Sequence, residues 1–247
     1  MSSAKLKGEK SGTALRNALG TKRKPDAPAA KKVPREPKKI GAIRDHNYQI
    51  ILGAAEREFA QFGYSGASIQ KIADRAGLPK ASIHYYFVSK EKLYLALLDN
   101  IMQLWNGYFD EVKVEDDPAE VLDRFIRKKV ELSYSHPLSS KLFAMEIIQG
   151  APHIRRYIRT EMRNWVRNKA TVIEEWIRKK RMKAIDPVHL IFLIWSSTQH
   201  YADFETQVLM IMNRAEYERE MIDQIADFLS EMILTGCGLK VPAKKRA

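Results

Sequence analysis

Two features make this an all-α chain. Apolar residues recur at three- and four-residue spacing from about Asp45 to Leu234, with no strand-like alternation and no internal repeat. Within that pattern, Ser68 to Lys90 (SIQKIADRAGLPKASIHYYFVSK) reads as two short helices across a tight glycine turn. The predicted architecture is a three-helix head followed by a six-helix body.

The elements follow in order. A first helix runs from about Asp45 to Phe62, with Ile50, Ile51, Ala54, Ala55, Glu58, Phe59 and Phe62 as its inner stripe, and Gly63 ends it. Ser68 can cap the second helix by accepting from a free backbone N–H, and Ile69, Ile72, Ala73 and Ala76 share its buried face. Gly77 suits a left-handed C′ position, Leu78 packs the turn, and Pro79 fits the first position of a third helix that ends near Tyr86. A fourth helix starts at Ser89 or Lys90 and reaches about Val112, with Leu93, Ala96, Leu97, Ile101, Leu104, Trp105 and Tyr108 on its inner faces.

The body begins with a fifth helix, opened by Asp116, Asp117 and Pro118 and stopped by His136 and Pro137. A sixth covers roughly Ser139 to Gln149, and Gly150-Ala151-Pro152 breaks the pattern. The longest runs from about His153 to Lys180, apolar along Ile154, Ile158, Met162, Trp165, Val172 and Trp176. Asp186 and Pro187 start the eighth, which reaches Phe204, and the ninth spans roughly Arg214 to Leu234.

Composition narrows the chemistry. The 247 residues are 45% hydrophobic, ordinary for a chain with a full core. A single cysteine, Cys237, rules out an internal disulfide and fits a reducing, cytoplasmic setting. The greasiest run, Leu190 to Trp195, is broken at once by polar residues, far short of the ~18 needed to span a membrane. No secretory leader is evident. The six histidines are scattered, and no metal-ligand spacing, glycine-rich phosphate loop or nucleophile elbow appears. An enzyme, a metal site and a cofactor are therefore not expected.

The net charge of +12 sits at the ends. Residues 1–44 hold thirteen Lys/Arg against three Asp/Glu, and Lys240, Lys244, Lys245 and Arg246 add four more positive charges. The organisation expected is a disordered basic arm at 1–43, a helix-turn-helix at 44–90, a larger domain at 91–238 and a basic tail at 239–247. The arm can neutralise phosphates beside a main site, or simply keep the chain soluble.

A short helix fixed across another by a tight turn is the unit whose second member enters the DNA major groove. Its outward candidates are Lys80, Ala81, Ser82, His84 and Tyr85. Lys80 can reach a guanine edge or a phosphate, Ser82 and His84 can donate or accept, and Ala81 suits a thymine methyl. Arg44 and Ser68 are further phosphate candidates.

At fixed spacing stand Ile72, Ala73, Ala76, Gly77, Leu78, Lys80, Ser82, Ile83, Tyr85, Tyr86, Phe87, Ser89, Lys90, Glu91 and Leu93. This pattern resembles the amino-terminal signature of the TetR family of transcriptional regulators. Pro79 departs from it, since the family usually carries a serine or threonine cap there, and the phosphate contact of such a side chain falls away. The resemblance implies that Tyr85 contacts a phosphate or base, that Tyr86 lies against the neighbouring backbone and that Lys90 meets a phosphate. Core packing is the competing role for Tyr86 and the favoured one for Phe87.

The resemblance also implies a homodimer on a palindromic double-stranded DNA operator, joined through a four-helix bundle. The last two helices carry the apolar surface this needs: Leu190, Ile191, Leu193, Ile194, Ile225, Phe228, Leu229, Met232 and Ile233. Within the family, Ile185 to Phe204, Leu142 to Pro152 and the run ending at Trp105 resemble a regulator of pyrimidine utilisation. That implies a uracil or thymine pocket in the body and control of pyrimidine breakdown genes. Phe192, Trp195, Gln199 and Asp203 share one helical stripe. Trp195 and Trp105 offer flat faces, and the Gln199 amide can match the adjacent N–H and C=O of a pyrimidine dione. Phe109 and Met145 are weaker pocket candidates. Core packing or a dimer contact is the competing role for Trp195 and Gln199. A sensor of apolar drugs or acyl compounds, or an activator, remains a rival.

Overall fold

In the computed structural model, which describes residues 37–243, the regular elements are all helical. The basic stretch up to residue 36 and residues 244–247 lie outside the described residues. Helix α1 (Pro37–Gly66) begins about two turns before Asp45. Gly63 interrupts it at φ 65, ψ 176, a conformation that glycine adopts without a Cβ clash. Phe62, expected in the core, lies beside this kink and is 42% exposed under the Lys71 ammonium. The stripe that stays buried is Ile51, Ala54, Ala55, Glu58 and Phe59.

Helices α2 (Ile69–Ala76) and α3 (Lys80–Tyr86) form the expected pair. Ser68 Oγ accepts the Lys71 N–H at 3.1 Å, and Gly77 is left-handed at φ 64, ψ 27. The Gly77 and Leu78 N–H groups close the end of α2 on the carbonyls of Asp74 and Ala73. Pro79 sits one position earlier than expected. At ψ 144 it precedes α3 rather than beginning it, and its carbonyl accepts the Ser82 N–H at 2.8 Å. The proline ring fixes φ and leaves ψ free for that role.

Helix α4 (Lys90–Asp110) is capped by Ser89, whose Oγ accepts from the Lys92 N–H. Helices α5 (Pro118–Ser135) and α6 (Pro137–Ile148) follow almost without a break, because Pro137 ends one and opens the other. The long helix expected over His153–Lys180 is instead three consecutive segments: α7 (Arg155–Tyr157), a π-helical turn (Ile158–Met162) and α8 (Arg163–Arg178).

Helix α9 (Pro187–Asp203) is capped by the Asp186 carboxylate. Helix α10 (Glu205–Met212) is an element the sequence reading does not include, ended by left-handed Asn213. Its Met210, Ile211 and Met212 are exposed, so it lacks the polar outer face that makes a helix legible. The last helix, α11 (Arg219–Gly236), starts five residues later than Arg214 because Asn213 and the residues after it form its connection to α10. No helix among the described residues is long and apolar enough to cross a membrane.

Burial is organised in two clusters. The first joins α1, α2, α3, α4 and α6, so the core of the head is continuous with the near part of the body. The second joins α5, α8, α9 and α11. On the last two long helices, Leu190, Ile191, Ile194, Ile225, Leu229 and Ile233 face this inner core. Only Leu193, Phe228 and Met232 of the expected contact set remain outside, joined by Phe192. The apolar residues thus divide between two faces, one internal and one exposed.

Candidate functional site

In the head, Ile83 and Phe87 anchor α3 inward, and Tyr48 of α1 packs against Phe87 at 5.3 Å. Lys80, Ala81, His84 and Tyr85 therefore face outward, with Tyr85 74% exposed. Ser82 is half-buried. Tyr86 is also half-buried, between Tyr48 and an edge-on Tyr85. Arg44 is exposed on α1. Ser68 is engaged as the α2 cap, and Lys90 Nζ lies 4.7 Å over the Tyr64 ring while donating to the Ser65 carbonyl at 3.4 Å. The result is a convex face of hydroxyls, one imidazole and one ammonium on a helix narrow enough to enter a groove.

In the body, the seam between the two clusters holds a small cavity. Met102 and Trp105 of α4, Lys129 of α5, Phe143 of α6, Met162 of the π-helical turn, and Trp195 and Gln199 of α9 enclose about 30 Å³. That is room for about two water molecules. Trp105 meets Phe143 edge-on at 5.3 Å, and Trp195 lies against Trp165 at 5.8 Å. The Trp195 indole N–H is buried with no acceptor among the described residues. Such a group is costly unless something supplies the acceptor.

Lys129 is 3% exposed, with Nζ 4.7 Å above the Trp105 ring. Burial pushes its ammonium down to about 7, against an opposing pull from Asp203. Asp203 accepts a hydrogen bond from Ser140 Oγ, and burial pushes its carboxyl upward. Phe109 and Met145 do not border this cavity. Phe109 packs on Phe125 at 4.6 Å, and Met145 lies against the first cluster. Phe192 is exposed on the outer side of α9. A wider cleft of about 190 Å³ opens between α5, α9 and α11, lined by Tyr134, Tyr201, Glu205, Glu216 and Tyr217 among others.

Helix α4 connects head and cavity. Fifteen residues separate Lys90 from Trp105, about 22 Å along the axis. Near its head end, the Tyr94 hydroxyl and the His153 ring and backbone N–H all engage the buried Glu146 carboxylate.

Residues 51–97 match the model for bacterial regulatory proteins of the tetR family, and residues 98–240 match the C-terminal region of YcdC-like proteins. The HTH-type transcriptional regulator RutR of Escherichia coli K12 is 36% identical over 188 residues, covering 76% of this chain and 89% of RutR. The chain belongs to the TetR family. As a TetR-family protein it is a transcriptional regulator, and α2–α3 is its helix-turn-helix. FadR of Bacillus subtilis in complex with stearoyl-CoA shares the fold at 19% identity and a TM-score of 0.56, over 76% of this chain and 98% of FadR. AibR in complex with isovaleryl coenzyme A and operator DNA does so at 20% and 0.57, over 75% and 97%.

The sequence reading of this TetR-family body missed Lys129, Met102, Phe143 and Met162 as cavity residues. Lys129 left a signal: it falls on the apolar stripe of α5, between Phe125, Ile126 and Val130, where a charge is out of place. The other three look like any core residue.

Proposed function

We propose that the protein represses genes of pyrimidine breakdown in the cytoplasm, and leaves its palindromic operator when uracil or thymine binds the body. One observation carries the ligand assignment. Trp105, Trp195 and Gln199 border one cavity, and the buried Trp195 N–H has no acceptor among the described residues. Indole faces match a planar ring, and a carboxamide with a free indole N–H matches the alternating N–H and C=O of a pyrimidine dione. RutR, whose likeness spans most of the chain, supports the same assignment. A buried lysine in the cavity wall suits a long acyl chain poorly.

DNA contact is assigned to α3 and its flanks. Lys80, Ala81, Ser82, His84 and Tyr85 would enter the major groove, with Arg44, Ser68, Tyr86 and Lys90 on the backbone. Two such heads on a homodimer must stand about 34–36 Å apart to meet successive grooves. A ligand that binds one pose of α4 better draws the population toward it. Coupling of about 1–3 kcal/mol weakens DNA binding roughly 5- to 150-fold.

The experiment is fluorescence anisotropy on an operator selected from a random duplex pool, with and without uracil, thymine or an acyl-CoA. Release by the pyrimidines alone is expected. Release by the acyl-CoA alone would transfer the assignment to an apolar effector.

A further inference from the structure

Two exposed parts of the body carry opposite charge. A groove of about 520 Å³ runs along the π-helical turn, α8 and α9. Arg159, Arg163 and Arg167 line it at successive turns, over an apolar floor that includes Val166, Phe192 and Trp195. All three arginines are exposed, with no side-chain hydrogen bond or ion pair among the described residues. Like charges four residues apart on a helix repel one another. The ladder is therefore unfavourable by itself, and an anion laid along it relieves the repulsion.

The outward side of α11 is its complement. Phe228 and Met232 are exposed there, and Glu231 stands three residues from the first and next to the second. The other acids of this helix are engaged within the chain: Asp223 by Arg219, Asp227 by Arg127, and Glu220 by the Gln224 amide. Glu231 is exposed, with no side-chain hydrogen bond or ion pair among the described residues. An apolar pair with one uncommitted carboxylate thus matches an apolar floor with uncommitted guanidinium groups.

A two-fold interface sets the same surface of both copies face to face, so a patch of one charge on the axis would meet itself. With the arginines on one helix and the acid on another, both copies can be matched at once. We infer that the Arg159–Arg163–Arg167 groove receives the outward side of α11 from a second copy of this chain. The partner's Glu231 lies against the arginine ladder, and the partner's Phe228 and the partner's Met232 lie on the apolar floor. This rests on the homodimer proposed above and adds the contact that orients its two bodies. Groove and effector cavity have Met162 and Trp195 in common. A helix seated in the groove therefore lies beside the cavity wall, and the angle between the two bodies is set next to the effector.

The test is charge reversal read by sedimentation velocity on the full chain, with Arg163→Glu and Glu231→Arg run separately and as an equimolar mixture. Each variant alone puts like charges across both symmetric contacts. Its dimer dissociation constant should rise at least roughly tenfold, since a surface ion pair is worth a few-fold and symmetry counts it twice. In the mixture, one copy of each variant brings arginine against glutamate at both contacts. That mixed dimer should form at concentrations where either variant alone is monomeric. A pair formed within one chain would be restored by combining the two substitutions and not by mixing.

Parent-like dimerisation of Arg163→Glu alone, or a mixture that stays monomeric, overturns the docking and leaves the homodimer standing. A parent chain that is monomeric at every concentration reached overturns both. If Arg163→Glu melts early, Arg159→Glu mixed with Glu231→Arg asks the same question at the neighbouring rung and decides it.

Discussion

The hydroxyl of Tyr94 donates a 3.0 Å hydrogen bond to Glu146 Oε2, joining the head end of α4 to the end of α6 inside the protein. The same carboxylate accepts from the His153 backbone N–H at 2.7 Å and meets His153 Nδ1 at 3.1 Å. The Tyr94 ring packs edge-on against Phe59 and Tyr64 of α1, and His153 lies 4.0 Å from Tyr64. One buried carboxylate thereby fixes α4 against both the head and the loop that leads to the π-helical turn. Since Trp105 sits on the same helix, the pose of α4 is shared by the groove-reading face and the cavity.

Tyr94→Phe should expose this coupling. It deletes the donor while keeping the ring, and leaves the 1%-exposed Glu146 with His153 alone. A lost hydrogen bond to a buried charged group costs about 1–3 kcal/mol. The urea midpoint should fall accordingly with an unchanged slope, and release from the operator by effector should shift in concentration. A midpoint equal to that of the parent would show that the bond contributes nothing.

Lys129 should make stability depend on pH in the alkaline direction. Its ammonium is held down to about 7 by burial, below the ordinary value of 10.5 that applies in the unfolded chain. Between those two values the unfolded chain binds more protons, so the lysine's contribution to stability improves as pH rises through that window. Below about 7 the penalty is present in full. Lys129→Met should therefore raise the melting temperature strongly at pH 6 and little near pH 10. A gain independent of pH would mean that methionine helps by packing alone.

Most of this was legible in the sequence where local chemistry decides. Ser68, Gly77, Asp117 and Asp186 hold the capping roles their residue types and neighbours suggest. Helix α10 was not legible, because Met210, Ile211 and Met212 are apolar yet exposed and the expected periodic contrast is missing. The two-faced character of α9 and α11 was visible, but not which residues took which face. Leu193 and Leu190 are the same side chain, and only the tertiary rotation of α9 makes one 51% and the other 5% exposed. Trp105 lies far in the chain from Trp195 and Gln199, and helical spacing alone could place only the last two together.

The exposed apolar side chains of α9 and α11 carry a prediction about assembly. Phe192 and Leu193 on one helix and Phe228 and Met232 on the other are each about half exposed, in a chain whose remaining α11 surface is polar. Contiguous exposed apolar surface of this kind marks an interface. Phe228→Asp should convert a dimer to a monomer in sedimentation velocity. It should also lower affinity for a palindromic operator far more than for a half-site. A dimer that survives the charge would place the interface on another face.

The groove-reading face makes its prediction through salt. Lys80 opens α3, exposed and with no side-chain hydrogen bond or ion pair among the described residues, directly beside exposed Ala81 and one turn from His84. If Lys80 meets a phosphate, Lys80→Ala should weaken binding to every sequence by a similar factor and reduce the slope of log affinity against log salt by about one per head. If it meets a guanine edge, the loss should be about 1–3 kcal/mol on the cognate site and small elsewhere. Anisotropy titrations on cognate and scrambled duplexes at several salt concentrations separate the two. A variant with parent affinity and slope on both duplexes would remove Lys80, and with it the start of α3, from the DNA contact.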